Sequence, residues 1–276
     1  MNTGKTIARA LLTAIVMAGF GGTAYAQVVG SQHDLTTGGT GQGGTNNTDE
    51  VCVFCHTPHG SDTAAPVPLW NKVLSDPAGY TRYSTLQLVT FDSTEAPVGS
   101  VSLACLTCHD GTQAMDVVIN LPGSGGYSAT GQQIDPVAIG PMVGAPVPML
   151  GTDLTDDHPI SMQYAGGGVN VTTQPADGTF AGTLVDPDFN PPERATINTN
   201  PVWWLDSPVG GTGVREKTDM LLYTRDEATV PGGVQPFVEC GSCHDPHNSA
   251  SQTPTSVAFL RIANTASQIC TSCHIK

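Results

Sequence analysis

Five residues in the order Cys-x-x-Cys-His occur four times in this chain and use every cysteine it has. They read Cys52-Val53-Phe54-Cys55-His56, Cys105-Leu106-Thr107-Cys108-His109, Cys240-Gly241-Ser242-Cys243-His244 and Cys270-Thr271-Ser272-Cys273-His274. Two thiols at this spacing share one turn, and both can bond to the vinyl-derived carbons of a single haem. The histidine that follows then lies against the haem face and ligates the iron. A lone Cys-x-x-Cys fits a redox disulfide or half a zinc site as well. Zinc does not ask for a histidine after every pair, and disulfides do not ask for four identical spacings. The pattern therefore predicts four c-type haems. Cys52, Cys55, Cys105, Cys108, Cys240, Cys243, Cys270 and Cys273 attach them, and His56, His109, His244 and His274 are their proximal ligands.

A chain built this way does not need an ordinary core. Gly 32 and Pro 21 work against long helices, and only 12% of residues are charged. Side-chain burial alone has difficulty offsetting the conformational entropy of so loop-rich a chain. Four flat apolar bodies, each tied twice to the backbone and again through iron, supply the missing core. The expected fold class is a multihaem cytochrome c. It is mostly coil and turns, with short helices at the haem motifs, a few short strands and a core of stacked haems.

The domain plan has three parts. Residues 1–26 read as a signal peptide: Lys5 and Arg9 form a basic start, residues 10–20 an apolar run, and Ala24-Tyr25-Ala26 a small-x-small cleavage site. That run is too short to span a bilayer, and no transmembrane segment is expected. The predicted location is extracellular or at the cell surface, with the periplasm as the alternative. Residues 27–50 read as a flexible arm, dominated over 36–48 by Thr, Gly, Asn and Gln. Residues 51–276 form the tetrahaem domain, with a β- and loop-rich insertion at about 160–235. A strand is expected at 86–91 and a buried one at 201–205, a helix ended by Gly111 at the second motif, and another at about 264–274. Trp70 is either a haem-stacking residue or a buried plug. Asp186-x-Asp188-x-Asn190 imitates the start of a calcium loop, but Pro191 replaces its glycine and Ile197 its closing glutamate, which argues against calcium.

The chain is acidic, with a formal net charge of −14 that becomes −16 without Lys5 and Arg9. Nucleic acid is excluded as a partner on that ground. Basic redox proteins, cations and mineral or electrode surfaces fit it.

Eight histidines are present, and the four outside the motifs are His33, His59, His158 and His247. Four haems need four distal ligands, so bis-histidine ligation throughout is the simplest assignment. Met115, Met142, Met149, Met162 and Met220 are the competing ligands, and a methionine would raise the potential of its haem. His59 and His247 each follow a proximal histidine by three residues. Neither reaches the far face of its own haem, so each must serve a neighbouring one, which brings haems together. His158 reaches back from the insertion. His33 lies on the arm, which can fold onto its own subunit or extend to the next; repeated head-to-tail contacts of the second kind build filaments.

Several stretches carry a resemblance. Gly-Ser-Gln-His33-Asp-Leu, Val-Cys52-Val-Phe-Cys55-His56-Thr-Pro-His59, Pro-Leu-Trp70-Asn, Asp-Asp157-His158-Pro-Ile and Phe259-Leu-Arg-Ile before Cys270 resemble the filament-forming outer-surface multihaem c-type cytochromes, chiefly tetrahaem and more distantly hexahaem members. The likeness covers both ends of the mature chain and little of 160–235. It implies bis-His haems stacked into a wire and a homopolymer in which one axial histidine crosses the interface, with His33 the chosen donor. It also implies long-range extracellular electron transfer and no enzymatic activity. A monomeric periplasmic or surface carrier is the alternative. A multihaem reductase ranks lower because the ligand count leaves no iron open. A structural or metal-sequestering protein would leave the four motifs without a use.

Overall fold

The computed structural model describes residues 28–41, 47–86, 92–135, 140–143, 149–248 and 259–275. The expected leader and nearly all of the expected strand at 86–91 fall outside them; Leu86 closes a short 3₁₀ turn, Tyr83–Leu86. Much of the chain is turn and coil, as the Gly and Pro content predicts.

Three short α-helices carry motif cysteines. Helix α1 is Ser100–His109, α2 is Cys240–Cys243 and α3 is Gln268–Cys273. Helix α1 is the longest because no Gly or Pro interrupts it between Gly99 and Gly111. Gly111 has φ +70°, a left-handed turn that glycine adopts at little cost, and the helix stops there. Leu103 and Leu106 of α1 pack with Tyr80, Val98 and Leu154. Helix α3 is shorter than expected: a 3₁₀ turn at Thr265–Ser267 precedes it.

Strands are more numerous and better organised than the sequence suggested. Val117–Asn120 (β1) pairs antiparallel with Tyr127–Gln133 (β2). The insertion builds a six-stranded antiparallel sheet from Met162–Gln163 (β3), Gly178–Thr179 (β4), Glu193–Ile197 (β5), Asn200–Leu205 (β6), Met220–Asp226 (β7) and Val234–Val238 (β8). Its spatial order is β3-β8-β7-β6-β5-β4. The buried strand expected at 201–205 is β6, with Trp203, Trp204 and Leu205 all buried. Trp203 opposes Leu222 and Leu205 opposes Met220, so all four share one face. Tyr164, Val169, Phe180 and Ile262 cover that face, and Cys243, Ile269 and Cys273 pack against the same cluster. A buried tryptophan here removes up to about 250 Å² from water, roughly 4–6 kcal/mol as an upper estimate. The insertion is thus the platform for the third and fourth motifs.

The other face of the sheet meets the second and third motifs. Arg225 Nη1 donates to Glu239 Oε1 at 2.7 Å, and both side chains are buried. Glu239 caps α2 and also accepts from Ser102 of α1, while the Cys240 N–H donates to the Ser102 hydroxyl. Burial outweighs the pull of Arg225 and pushes the Glu239 carboxyl up to about 7.

The described part of the arm, residues 28–41 and 47–50, packs on the rest of the chain through Leu35. Asp34 accepts from the Gly30 N–H, the Thr36 N–H and the Thr36 hydroxyl, which folds residues 30–36 into a tight loop. Leu35 then enters a cluster with Val53, Phe54, Met115 and Met142. The polar composition hid this because Asp34 satisfies the loop's donors internally.

The Arg225–Glu239 pair gives a test. Arg225→Met leaves a buried carboxylate without its cation and is expected to cost about 3–5 kcal/mol at pH 8. The double variant Arg225→Met/Glu239→Gln should recover most of that loss. Urea unfolding of both variants measures it.

Candidate haem-attachment site

Three of the four motifs are built on one local plan. The motif histidine forms an isolated antiparallel bridge with a residue of an extended segment: His56 with Trp70, His244 with Leu260 and His274 with Phe189. The residue after the histidine donates its N–H to the carbonyl just before that partner: Thr57 to Leu69, Asp245 to Phe259 and Ile275 to Asp188. The residue after the partner returns an N–H to the second cysteine: Asn71 to Cys55, Arg261 to Cys243 and Asn190 to Cys273. The side chain of that residue then reaches the carbonyl after the first cysteine. Asn71 Nδ2 donates to Val53 O at 2.7 Å, Arg261 Nε to Gly241 O at 2.9 Å and Asn190 Nδ2 to Thr271 O at 3.0 Å. Each brace fixes both cysteines and the histidine as one rigid turn. The second motif uses the longer α1 instead, and Leu150 N–H bonds the His109 carbonyl.

Sequence reading missed these braces. Two of them follow their own motif, with bridge partners 14 and 16 residues after the motif histidine, but the third comes from the insertion, far upstream of Cys270. The Asp186–Asn190 stretch, which imitates a calcium loop, is that third brace.

The thiols meet in motif order. Cys55 and Cys108 border the same apolar cluster. Cys105 and Cys240 are hydrogen-bonded to each other, which together with burial pushes the Cys105 thiol well up. Cys243 and Cys273 pack on one sheet face. Burial pushes the Cys55 and Cys273 thiols up to about 12 and Cys243 to about 11. Cys240 goes the other way: its bonds with Cys105 and the Ser102 hydroxyl hold its thiol below the ordinary value despite burial. All eight cysteines are free of disulfides.

The histidines divide into two kinds. His33 is half-buried within its own chain. Its ring stacks on Phe259 at 4.1 Å and stands edge-on to His109, with centroids 6.2 Å apart and planes at 82°. His247 faces His56 with centroids 6.1 Å apart and planes at 20°. His59 and His158 are exposed, as is His247, but neither of the first two has a second imidazole beside it at ligand-pair distance among the described residues. His274 lies 4.4 Å from the Phe189 ring. Burial and the nearby His109 lower His33 to about 4, which keeps its imidazole neutral, the form that ligates metal.

Four of these rings are anchored through one nitrogen. His56 Nδ1 lies 2.8 Å from Pro68 O and His158 Nδ1 3.0 Å from Pro159 O. His33 bonds the Pro246 carbonyl. His247 Nδ1 lies 3.4 Å from Asp245 Oδ1. Such anchoring fixes the tautomer, and in His56, His158 and His247 it leaves Nε2 as the free ligand atom.

The residues present fit haem. Two imidazoles on opposite sides of one metal, each bonded at about 2 Å, have ring centres about 6 Å apart. The His56/His247 and His33/His109 pairs have that separation. Trp70 is buried beside His56 with its Nε1–H unpartnered, a donor positioned for a group such as a haem carboxylate. Among the described residues, no cluster of three or more His, Cys, Asp or Glu side chains forms a conventional metal site.

Comparison with known proteins agrees with this chemistry. Residues 235–276, which contain the third and fourth motifs, match the family described as Doubled CXXCH motif. No curated protein and no solved structure matches the chain. With the same five-residue pattern at four places, the class that the site defines is a multihaem c-type cytochrome.

The first brace can be tested through Asn71, which is fully buried and bonds Val53 O, Asn120 O and the Asn120 N–H. Asn71→Ala leaves those groups unpaired and is expected to cost about 2–3 kcal/mol. The shift in denaturation midpoint checks it. Intact-mass analysis of the same variant should show reduced haem attachment at the first motif.

Proposed function

We propose that the chain is a tetrahaem electron-transfer protein with bis-histidine iron sites, exported from the cytoplasm. The observation that carries this reading is the pair of imidazole couples with centroids 6.1 and 6.2 Å apart. Haem iron supplies one-electron chemistry, ferric to ferrous and back. The chain's residues do the rest. The four cysteine pairs tether the group covalently, the backbone braces hold His56, His244 and His274 in fixed orientation, and carbonyl anchors keep the ligand nitrogens directed outward. His247 is the distal partner of His56, and His33 that of His109. His59 and His158 serve the sites of His244 and His274. Four spare histidines for four irons favour transfer over catalysis, because a reductase needs an exchangeable position.

The proposal extends to polymerisation, which the resemblance in sequence implies. His33 lies against His109 and Phe259 of its own chain, so the histidine that joins subunits is assigned to exposed His59 or His158 rather than to His33. The acceptors are redox proteins, minerals or electrodes outside the cell.

Electron microscopy of protein taken from the cell exterior, with haem quantified in the same sample, tests this reading. Filaments with four haems per chain support the polymer. Discrete particles with four haems support a monomeric carrier. Fewer haems, or a high-spin signal in the resting protein, argues for a reductase or another function.

Ligand pairing predicts spectra. Near-parallel rings at His56/His247 should give a rhombic low-spin electron paramagnetic resonance signal, and near-perpendicular rings at His33/His109 a highly anisotropic one. His247→Ala should remove the first and His33→Ala the second, each with four haems still attached by mass. Retention of both signals in either variant would overturn the pairing.

A further inference from the structure

The first and third motifs end alike, in Cys55-His56-Thr57-Pro58-His59 and Cys243-His244-Asp245-Pro246-His247. They differ at one position that bears on redox chemistry. Asp245 Oδ1 accepts the His247 backbone N–H at 3.0 Å and faces His247 Nδ1 at 3.4 Å. Thr57 has no charge to offer, and its hydroxyl donates to the His59 carbonyl at 3.0 Å. The other anchored rings, His33, His56 and His158, are held by neutral proline carbonyls. Among these four, His247 alone is backed by a carboxylate.

We propose that Asp245 is a positioning and tuning residue that makes the iron site of His56 and His247 the more reducing of the two served by CH-x-P-H histidines. This rests on the ligand pairing given above. A carboxylate on Nδ1–H increases the basicity of Nε2, and a more basic ligand stabilises ferric over ferrous iron. The couple is one electron, with no bond made or broken, and the Nδ1 proton stays on the ring. Arg261 acts on the same carboxylate through space, but its guanidinium hydrogens go to the Gly241 and Lys217 carbonyls. Asp245 belongs to the third motif while its ligand serves the first, so the sequence of one motif sets the potential at another.

The experiment is a redox titration of the intact holoprotein followed by optical and paramagnetic resonance spectra. The signal that His247→Ala removes identifies the site. Asp245→Asn keeps an acceptor for both N–H groups and removes the charge. It is expected to shift that site's one-electron equilibrium about tenfold toward the ferrous form, about 59 mV upward, with haem content and spin state unchanged. Thr57→Asp should move the site served by His59 in the opposite direction. If His247→Ala leaves every iron low-spin, the ligand pairing itself fails and takes this inference with it. If the signal is assigned but neither variant moves its midpoint, the pairing stands and the tuning role is overturned.

Discussion

The structure depends on how a motif histidine is held. An isolated Cys-x-x-Cys-His turn fixes the spacing of its thiols but not the direction of its imidazole. Here an extended segment closes over three of the four turns with two backbone hydrogen bonds and one side-chain hydrogen bond to the turn's own carbonyls. Leu69 and Phe259, just before two of the bridge partners, are in left-handed backbone, φ 56° and 63°. That conformation costs roughly 1–2 kcal/mol for a residue with a Cβ, a cost the three bonds of each brace offset. The remaining turn, at His109, ends the longer α1, and the Leu150 N–H bonds its carbonyl.

The six-stranded sheet follows from the same need. A chain with 53 Gly and Pro residues has few long helices to bury. The insertion concentrates the large apolar side chains, Trp203, Leu205, Met220 and Leu222, on one face of a sheet. Cys243 and Cys273 rest on that face, and the Arg225–Glu239–Ser102 network on the other side ties α1 to α2. What reads as a decorative insertion is therefore the element that sets the third and fourth motifs relative to the second.

Several charged side chains are buried. Lys72 is buried and gives its ammonium to the Met115 and Val117 carbonyls at 2.8 Å, which ties the first motif's support to β1. Asp245 and Glu239 are the acidic groups closest to the third motif's cysteines and histidines. Burial pushes Glu239 toward its neutral form.

The sequence by itself determined the chemistry. Cysteine spacing points to c-type haem attachment, because covalent attachment requires particular residues at particular intervals, and the histidine count sets how many imidazoles the chain can offer. It also made β6 legible, since Pro201-Val202-Trp203-Trp204-Leu205 is a continuous apolar run. Only the tertiary structure decided which histidines meet. His33 lies beside His109, and His247 beside His56, across separations of 76 and 191 residues that no local periodicity encodes. The same holds for the brace that Phe189 and Asn190 give to His274, a role that the spacing of Asp186, Asp188 and Asn190 does not display. Local spacing is read from the chain because one turn enforces it; pairing between distant turns is set by the packing of the sheet and the arm, which the order of residues does not display.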